Sequence, residues 1–215
     1  MIKAVLWDLD GTLVDSAEFH WRAWRDVMAE AGLPITHEQF VHSFGKRNDL
    51  ILSGWLGEGV DPGRVRRLSE EKEARFRALV QAHGIEPLPG ARDWVARLHA
   101  EGWAQAIATS APRANLDTMA GAMKMGHYFG AGVAAEDVTH GKPHPEVFLV
   151  AARRLGADPR ASIVVEDAPI GIEAGRRAGM RTVGVSLMHT LPAADVYVGT
   201  LPELPDDTFE TLLRR

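Results

Sequence analysis

The chain has 215 residues, no cysteine, and 24 Lys and Arg against 29 Asp and Glu, a net charge of −5. That length allows one buried core carrying a smaller insert. The charge has the wrong sign for general attraction to nucleic acid or an anionic membrane, and the missing thiols exclude disulfide frameworks, thiolate nucleophiles and zinc–thiolate sites.

Hydrophobic residues at 46% and charged residues at 25% are ordinary globular values. No stretch approaches transmembrane length, and the apolar run after Met1 is too short for a signal peptide. A cytoplasmic protein with a small-molecule partner is expected, with no nucleic acid and no membrane; a monomer is compatible with this composition.

Ile2 to Trp7 is a short apolar run ending in acids, which predicts a buried strand that delivers Asp8 and Asp10 to a loop. From residue 15 to 84 helical patterns dominate and no clear apolar strand appears. Asp15-Ser16 can cap a helix through about Ala31, which Gly32-Leu33-Pro34 ends. Thr36 with Gln39 has capping-box spacing, and Asp61-Pro62 opens a long helix that stops near His83-Gly84. The chain returns through Pro87-Leu88-Pro89-Gly90, so both linkers of the insert lie beside the acidic loop, where they can hinge a lid. Residues 1–14 and 85–215 are expected to form an α/β core and residues 15–84 a helical cap.

Past the insert, strands at Gln105 to Ala108, Ile163 to Val165 and Thr182 to Val185 alternate with helical signals over Gly90 to Ala100, Pro112 to Ala122, Pro145 to Leu155 and Ala168 to Ala178. Such alternation predicts a doubly wound parallel sheet, whose ligands bind outside the carboxyl ends of strands. Three of the four strand ends carry acids or hydroxyls: Asp8 and Asp10, Thr109 and Ser110, Glu166 and Asp167.

A carboxylate such as Asp8 can attack phosphorus and split one hard displacement into two easier ones. An anion approaching a phosphate dianion is repelled, so the site needs cations between them. Mg2+ takes oxygen ligands, which Asp8, Asp167 and Glu166 can offer. Lys142, held in Gly141-Lys142-Pro143-His144-Pro145, offers a point charge from a constrained loop. Thr109 and Ser110 add donors at a helix start, and Asp10 is left for proton transfer. Asp8 and Asp10 alone read equally well as a polar turn, and Lys142 alone reads better as a solvated surface lysine. Their order along an alternating chain is what raises the joint signal.

Asp8-Leu9-Asp10-Gly11-Thr12-Leu13-Val14-Asp15-Ser16, then Thr109, then Gly141-Lys142-Pro143, then Glu166-Asp167 closely resemble the four motifs of the haloacid dehalogenase superfamily of phosphatases and phosphomutases. The resemblance implies that Asp8 is the nucleophile and Asp10 the acid and base, ligating Mg2+ through its backbone carbonyl. It also implies that Thr109 and Lys142 anchor phosphate and that Glu166 with Asp167 completes the metal site. A helical cap after the first strand is likewise a family trait.

Ala17-Glu18-Phe19-His20-Trp21-Arg22-Ala23-Trp24 looks like the corresponding segment of beta-phosphoglucomutases and their phosphatase relatives. This likeness implies cap roles for His20, Lys72 and Arg47, with plain surface-helix roles as the alternative for His20 and Lys72. After Thr109 the chain reads Ser110-Ala111-Pro112-Arg113, and the Ser and Asn that hold a mutase's far phosphate are missing, unless Arg113 replaces them. The expected function is therefore a Mg2+-dependent phosphatase for a small phosphorylated metabolite, a sugar phosphate by likeness, with the phosphomutase as alternative. A phospho-receiver or binding module is a third reading, but a receiver phosphorylates an Asp on a later strand and has no helical lid. Trp21, Trp24, Phe44 and Trp55 could line a pocket, but at helical spacing they are expected to pack between insert and core.

Overall fold

A computed structural model describes residues 2–57 and 59–214. Six strands, β1 (Ala4–Trp7), β2 (Ala104–Ala108), β3 (Ala131–Val133), β4 (Ser162–Glu166), β5 (Arg181–Val185) and β6 (Val196–Val198), form one sheet in the order β3-β2-β1-β4-β5-β6. Every neighbouring pair is parallel.

All four β1 side chains are fully buried, because strands of such a sheet are covered on both faces. Val5 and Trp7 join Ile107, Ile163, Val165 and Val183 in one apolar layer, while Leu6 joins Ala106, Ala108 and Val164 in the other. The helices α5 (Ala91–Ala100), α6 (Arg113–Met123), α7 (Glu146–Leu155), α8 (Pro169–Arg177) and α9 (Thr208–Arg214) belong to this half of the chain. The helices α5 to α8 begin and end within a residue of the sequence expectation. The edge strands β3 and β6 were not expected. Three residues each, Ala-Gly-Val and Val-Tyr-Val, are too few for a periodic signal.

Between β1 and α5 lie four helices, α1 (Ala17–Glu30), α2 (His37–Ser43), α3 (Asn48–Leu56) and α4 (Pro62–His83). Their boundaries follow local chemistry. Thr36 Oγ1 accepts from Gln39 N and Gln39 Oε1 accepts from Thr36 N, closing the capping box of α2. Asp61 accepts from Gly63 N and Arg64 N at the start of α4, with Pro62 as its first residue. α1 departs from the expectation: Ser16 makes no capping bond, because its hydroxyl donates to Asp10 instead.

The four helices enclose an apolar cluster of their own around Trp24, Val27, Met28, Phe40, Ile51, Leu52 and Leu68. Trp24 meets Trp55 edge-on at 5.0 Å and Phe40 meets Phe44 at 5.6 Å, so these aromatics pack within the insert rather than between insert and core, and Trp24 and Phe44 also line the cavity at Asp8. The two linkers are stitched side by side. Leu88 N donates to Leu13 O at 2.8 Å, and Val14 bridges to Pro87. Among the described residues no helix is long and apolar enough to cross a membrane.

Candidate active site

The sheet order places β2 and β3 on one side of β1 and β4 to β6 on the other, so the winding reverses between β1 and β4. A crevice opens outside the carboxyl ends of strands at such a point. The register aligns Trp7 with Val165, and Asp8 N donates to Val165 O at 2.9 Å. Asp8 at the end of β1 is thereby level with Glu166 at the end of β4, with Asp167 next.

Room for these acids comes from two glycines. A Cβ on Gly11 would lie 2.3 Å from Asp167 Oδ2, and one on Gly171 would lie 1.8 Å from Glu166 Oε1. Gly11 also has φ +85°, a region that L side chains rarely adopt.

Lys142 Nζ donates to Asp8 Oδ1 at 2.5 Å and to Glu166 Oε1 at 2.6 Å. Glu166 Oε2 accepts from Ala168 N at 2.8 Å, so both oxygens of Glu166 are engaged. The side chains of Lys142, Asp8, Glu166 and Asp167 are all buried. Three carboxylates therefore share one ammonium away from water. Burial, with Glu166 and Asp10 nearby, pushes the Asp8 carboxyl up to about 8 against the pull of Lys142. Burial, Glu166 and Asp8 likewise raise Asp167 well above its ordinary value. For Lys142 the two carboxylates outweigh the desolvation that opposes its charge, and its pKa is raised. These directions agree on one state: Lys142 stays charged and a proton stays among the acids unless another cation arrives. Ligand oxygens of Asp8, Glu166 and Asp167 lie within 4.8 Å of one another, a hard-donor set that fits a divalent cation such as Mg2+.

The model of the haloacid dehalogenase-like hydrolases matches residues 5–185. The chain belongs to that family. Fructose-1-phosphate phosphatase YqaB of Escherichia coli is 33% identical over 86% of this chain and 96% of its own length. Hexitol phosphatase B of the same species is 32% identical over 94% of each chain. The solved beta-phosphoglucomutase of Clostridium difficile superposes with a TM-score of 0.90 at 25% identity, covering 100% of this chain and 98% of that one. The fold expected from the sequence is thus that of the haloacid dehalogenase-like hydrolases, and its relatives include both named phosphatases and a mutase.

Asp10 meets the helical insert. Its Oδ1 accepts from Ser16 Oγ and lies 3.0 Å from His20 Nε2. His20 Nδ1 is 2.8 Å from Lys72 Nζ, and the ring stacks on Phe76 at 3.9 Å. Burial opposes ionisation of Asp10, but His20, Ser16 and Lys72 outweigh it and hold its carboxyl below the ordinary range. A cavity of about 50 Å³ is lined by Asp8, Asp10, His20, Trp24, Lys72 and Asp167 among others, and Ser110 reaches it from the end of β2.

Thr109 is buried at the end of β2, its Oγ1 accepting from Ala111 N at 3.0 Å. Arg47 stands in a neighbouring cleft with Arg66 and Ser69 and packs on Gly141, where a Cβ would lie 2.5 Å from Arg47 Cδ. Arg113 is not part of the cavity lining. Its guanidinium donates to Gly132 O and Asp137. Sequence reasoning missed Ser16, Lys46 and Asn48, the last two on the cavity wall. Ser16 had read as a helix cap, and only its spacing of six residues from Asp10 could have suggested another partner.

Proposed function

We propose that the protein is a Mg2+-dependent phosphatase that hydrolyses a small sugar phosphate through an aspartyl-phosphate on Asp8, residues 15–84 acting as its cap. The arrangement of Asp8 carries this reading. One of its oxygens is held by Lys142 while no hydrogen bond among the described residues engages the other, which leaves that oxygen available to attack.

Asp8 Oδ2 forms a bond to phosphorus as the bond to the leaving alkoxide breaks; Asp10, ionised in the free site, must bind a proton as the substrate enters, and it gives that proton to the alkoxide. Asp10 then takes a proton from water, whose oxygen attacks phosphorus and releases inorganic phosphate and the Asp8 carboxylate. Bound among Asp8, Asp167 and the Asp10 carbonyl, Mg2+ would neutralise charge between nucleophile and phosphate. Glu166, with both oxygens engaged, holds Lys142 in place, and Lys142, Thr109 and Ser110 anchor the phosphoryl group. His20 and Lys72 orient Asp10.

The commitment of Arg113 to Asp137 favours hydrolysis over mutation, since it ties up the arginine that the sequence offered in place of a mutase's missing Ser and Asn. A phosphomutase is the second reading, supported by the likeness to beta-phosphoglucomutase. The test is a panel with fructose 1-phosphate, hexitol phosphates and beta-glucose 1-phosphate, run with Mg2+ and with a chelator. Phosphate release that needs Mg2+ is expected. Glucose 6-phosphate formed from beta-glucose 1-phosphate without phosphate release would establish the mutase instead.

A further inference from the structure

The proton-transfer residue Asp10 is connected through buried side chains to the far side of the cap–core interface. Lys72 Nζ donates to Glu73 Oε1 at 2.8 Å and meets His20 Nδ1 at 2.8 Å. An ammonium has only donors, so His20 Nδ1 must accept and, in the neutral ring, the proton sits on Nε2, aimed at Asp10 Oδ1. Glu73 is buried in α4, and its Oε1 also accepts from Asn48 Nδ2 at 2.7 Å. Its Oε2 leaves the insert altogether. It accepts from Nδ2 of Asn115, a fully buried residue in the first turn of α6. The Asn115 carbonyl oxygen in turn accepts from Arg77 Nη1 of α4 at 3.0 Å. One core amide thus receives a cap cation and donates to a cap anion.

Building on the phosphatase reading, we propose that Asn115 is a positioning residue: with Glu73 and Arg77 it forms the clasp that shuts the cap and, through Lys72 and His20, sets the donor that holds Asp10. The clasp must open in each cycle. The cavity at Asp8 measures about 50 Å³, whereas small-molecule sites run to roughly 300 Å³ or more, so a sugar phosphate cannot enter the shut form. Opening leaves the Glu73 carboxylate and the Asn115 amide to water. Closing desolvates both, and across the interface the bonds of Asn115 to Glu73 and Arg77 offset that cost. The clasp therefore makes the orientation of Asp10 conditional on a shut, dry site.

Asn115→Ala removes the core half of the clasp and leaves every bond within the cap in place. Two readouts test it. Small-angle X-ray scattering with Mg2+ and inorganic phosphate present should give a compact wild type and a larger radius of gyration for the variant. The ratio kcat/KM should fall about tenfold or more with fructose 1-phosphate, as expected for a lost bond to a charged group. It should fall much less with p-nitrophenyl phosphate, whose leaving group departs as a stable phenolate and needs no proton from Asp10. Asn115→Asp keeps an acceptor for Arg77 but turns a carboxylate toward Glu73, so it should open the cap further than Asn115→Ala. Arg77→Met, on a partly exposed side chain, gives the same direction if either substitution prevents folding. Equal losses on both substrates, or unchanged scattering in all variants, would overturn the clasp. A wild type inactive on both substrates would overturn the phosphatase reading while scattering still decides the clasp.

Discussion

The two halves of the site are held by different means. Lys142 reaches Asp8 across 134 positions of sequence, yet both stand where strand register and a glycine-bounded loop put them. On the side of the helical insert, Asp10 is met by His20, which Lys72 holds in turn, from the helices α1 and α4 that pack against one another. Backbone geometry fixes the Asp8 end, where we propose phosphoryl transfer, and side-chain packing fixes the Asp10 end, where we propose that substrate is admitted. The sharpest break in that division is Asp8→Asn. The amide has the shape of the carboxylate but cannot attack, so turnover should drop on the order of 10³-fold or more while the fold persists. Residual turnover above a tenth of wild type would exclude covalent catalysis at Asp8.

The same substitution gives a stability readout that the cap cannot mimic. Asp8 is raised from 3.8 to about 8 by burial among the acids, so its protonated form is the one that favours folding. That contribution is complete below about pH 4 and is lost as pH rises toward 8. Without divalent cation the wild type should lose thermal stability across that window, and Mg2+ should restore it most at the alkaline end. Asp8→Asn should flatten the metal-free profile. Thermal denaturation with chelator and with Mg2+, followed from pH 5 to pH 8, checks both; a wild-type Tm that rises with pH under chelator would contradict the proton count.

His20→Ala probes the cap side. It deletes the donor to Asp10 and the ring stacked on Phe76, so kcat/KM with a sugar phosphate should fall about 10- to 100-fold, well short of the Asp8 effect. A loss as large as that of Asp8→Asn, read by steady-state kinetics, would erase the distinction between the two halves.

That distinction also marks what could be read without coordinates. Strands β1, β2, β4 and β5 announced themselves by apolar runs, and the acids at the ends of β1 and β4 stood out only together, since at any one strand end polar residues read as well as a turn. The cavity wall was harder. Lys46, Asn48 and Ser16 are ordinary surface or capping types, and Glu73 reads as one more charge on a charged helix. Their partners lie on other elements: Asn48 and Asn115 both meet Glu73, a pairing that no local pattern encodes. Arg113 erred the other way. Its place after Thr109 suggested a phosphate partner, but Asp137, in the turn after β3, claims it, and that turn follows an edge strand too short to read.

Asp137 gives the smallest effect and bears directly on Arg113. Hydrogen bonds from Arg154 first, then from Ala134 N with Arg113 beside it, hold its carboxyl at about 2 despite partial burial. A lowered value means stability that is present above about pH 4 and lost as pH falls toward 2. The two arginines are more than a third exposed, so solvent screens the network, and Asp137→Asn should cost only about 1 kcal/mol at pH 7. The gap from wild type should narrow as pH falls toward 3 in denaturant titrations. Because the acid ties Arg113 away from the cavity, freeing that arginine tests whether it can act as a second phosphate grip. Unchanged kcat/KM in Asp137→Asn keeps Arg113 structural and the core's chemistry complete without it. A gain in glucose 6-phosphate from beta-glucose 1-phosphate would mean that one salt bridge separates the hydrolase from a mutase.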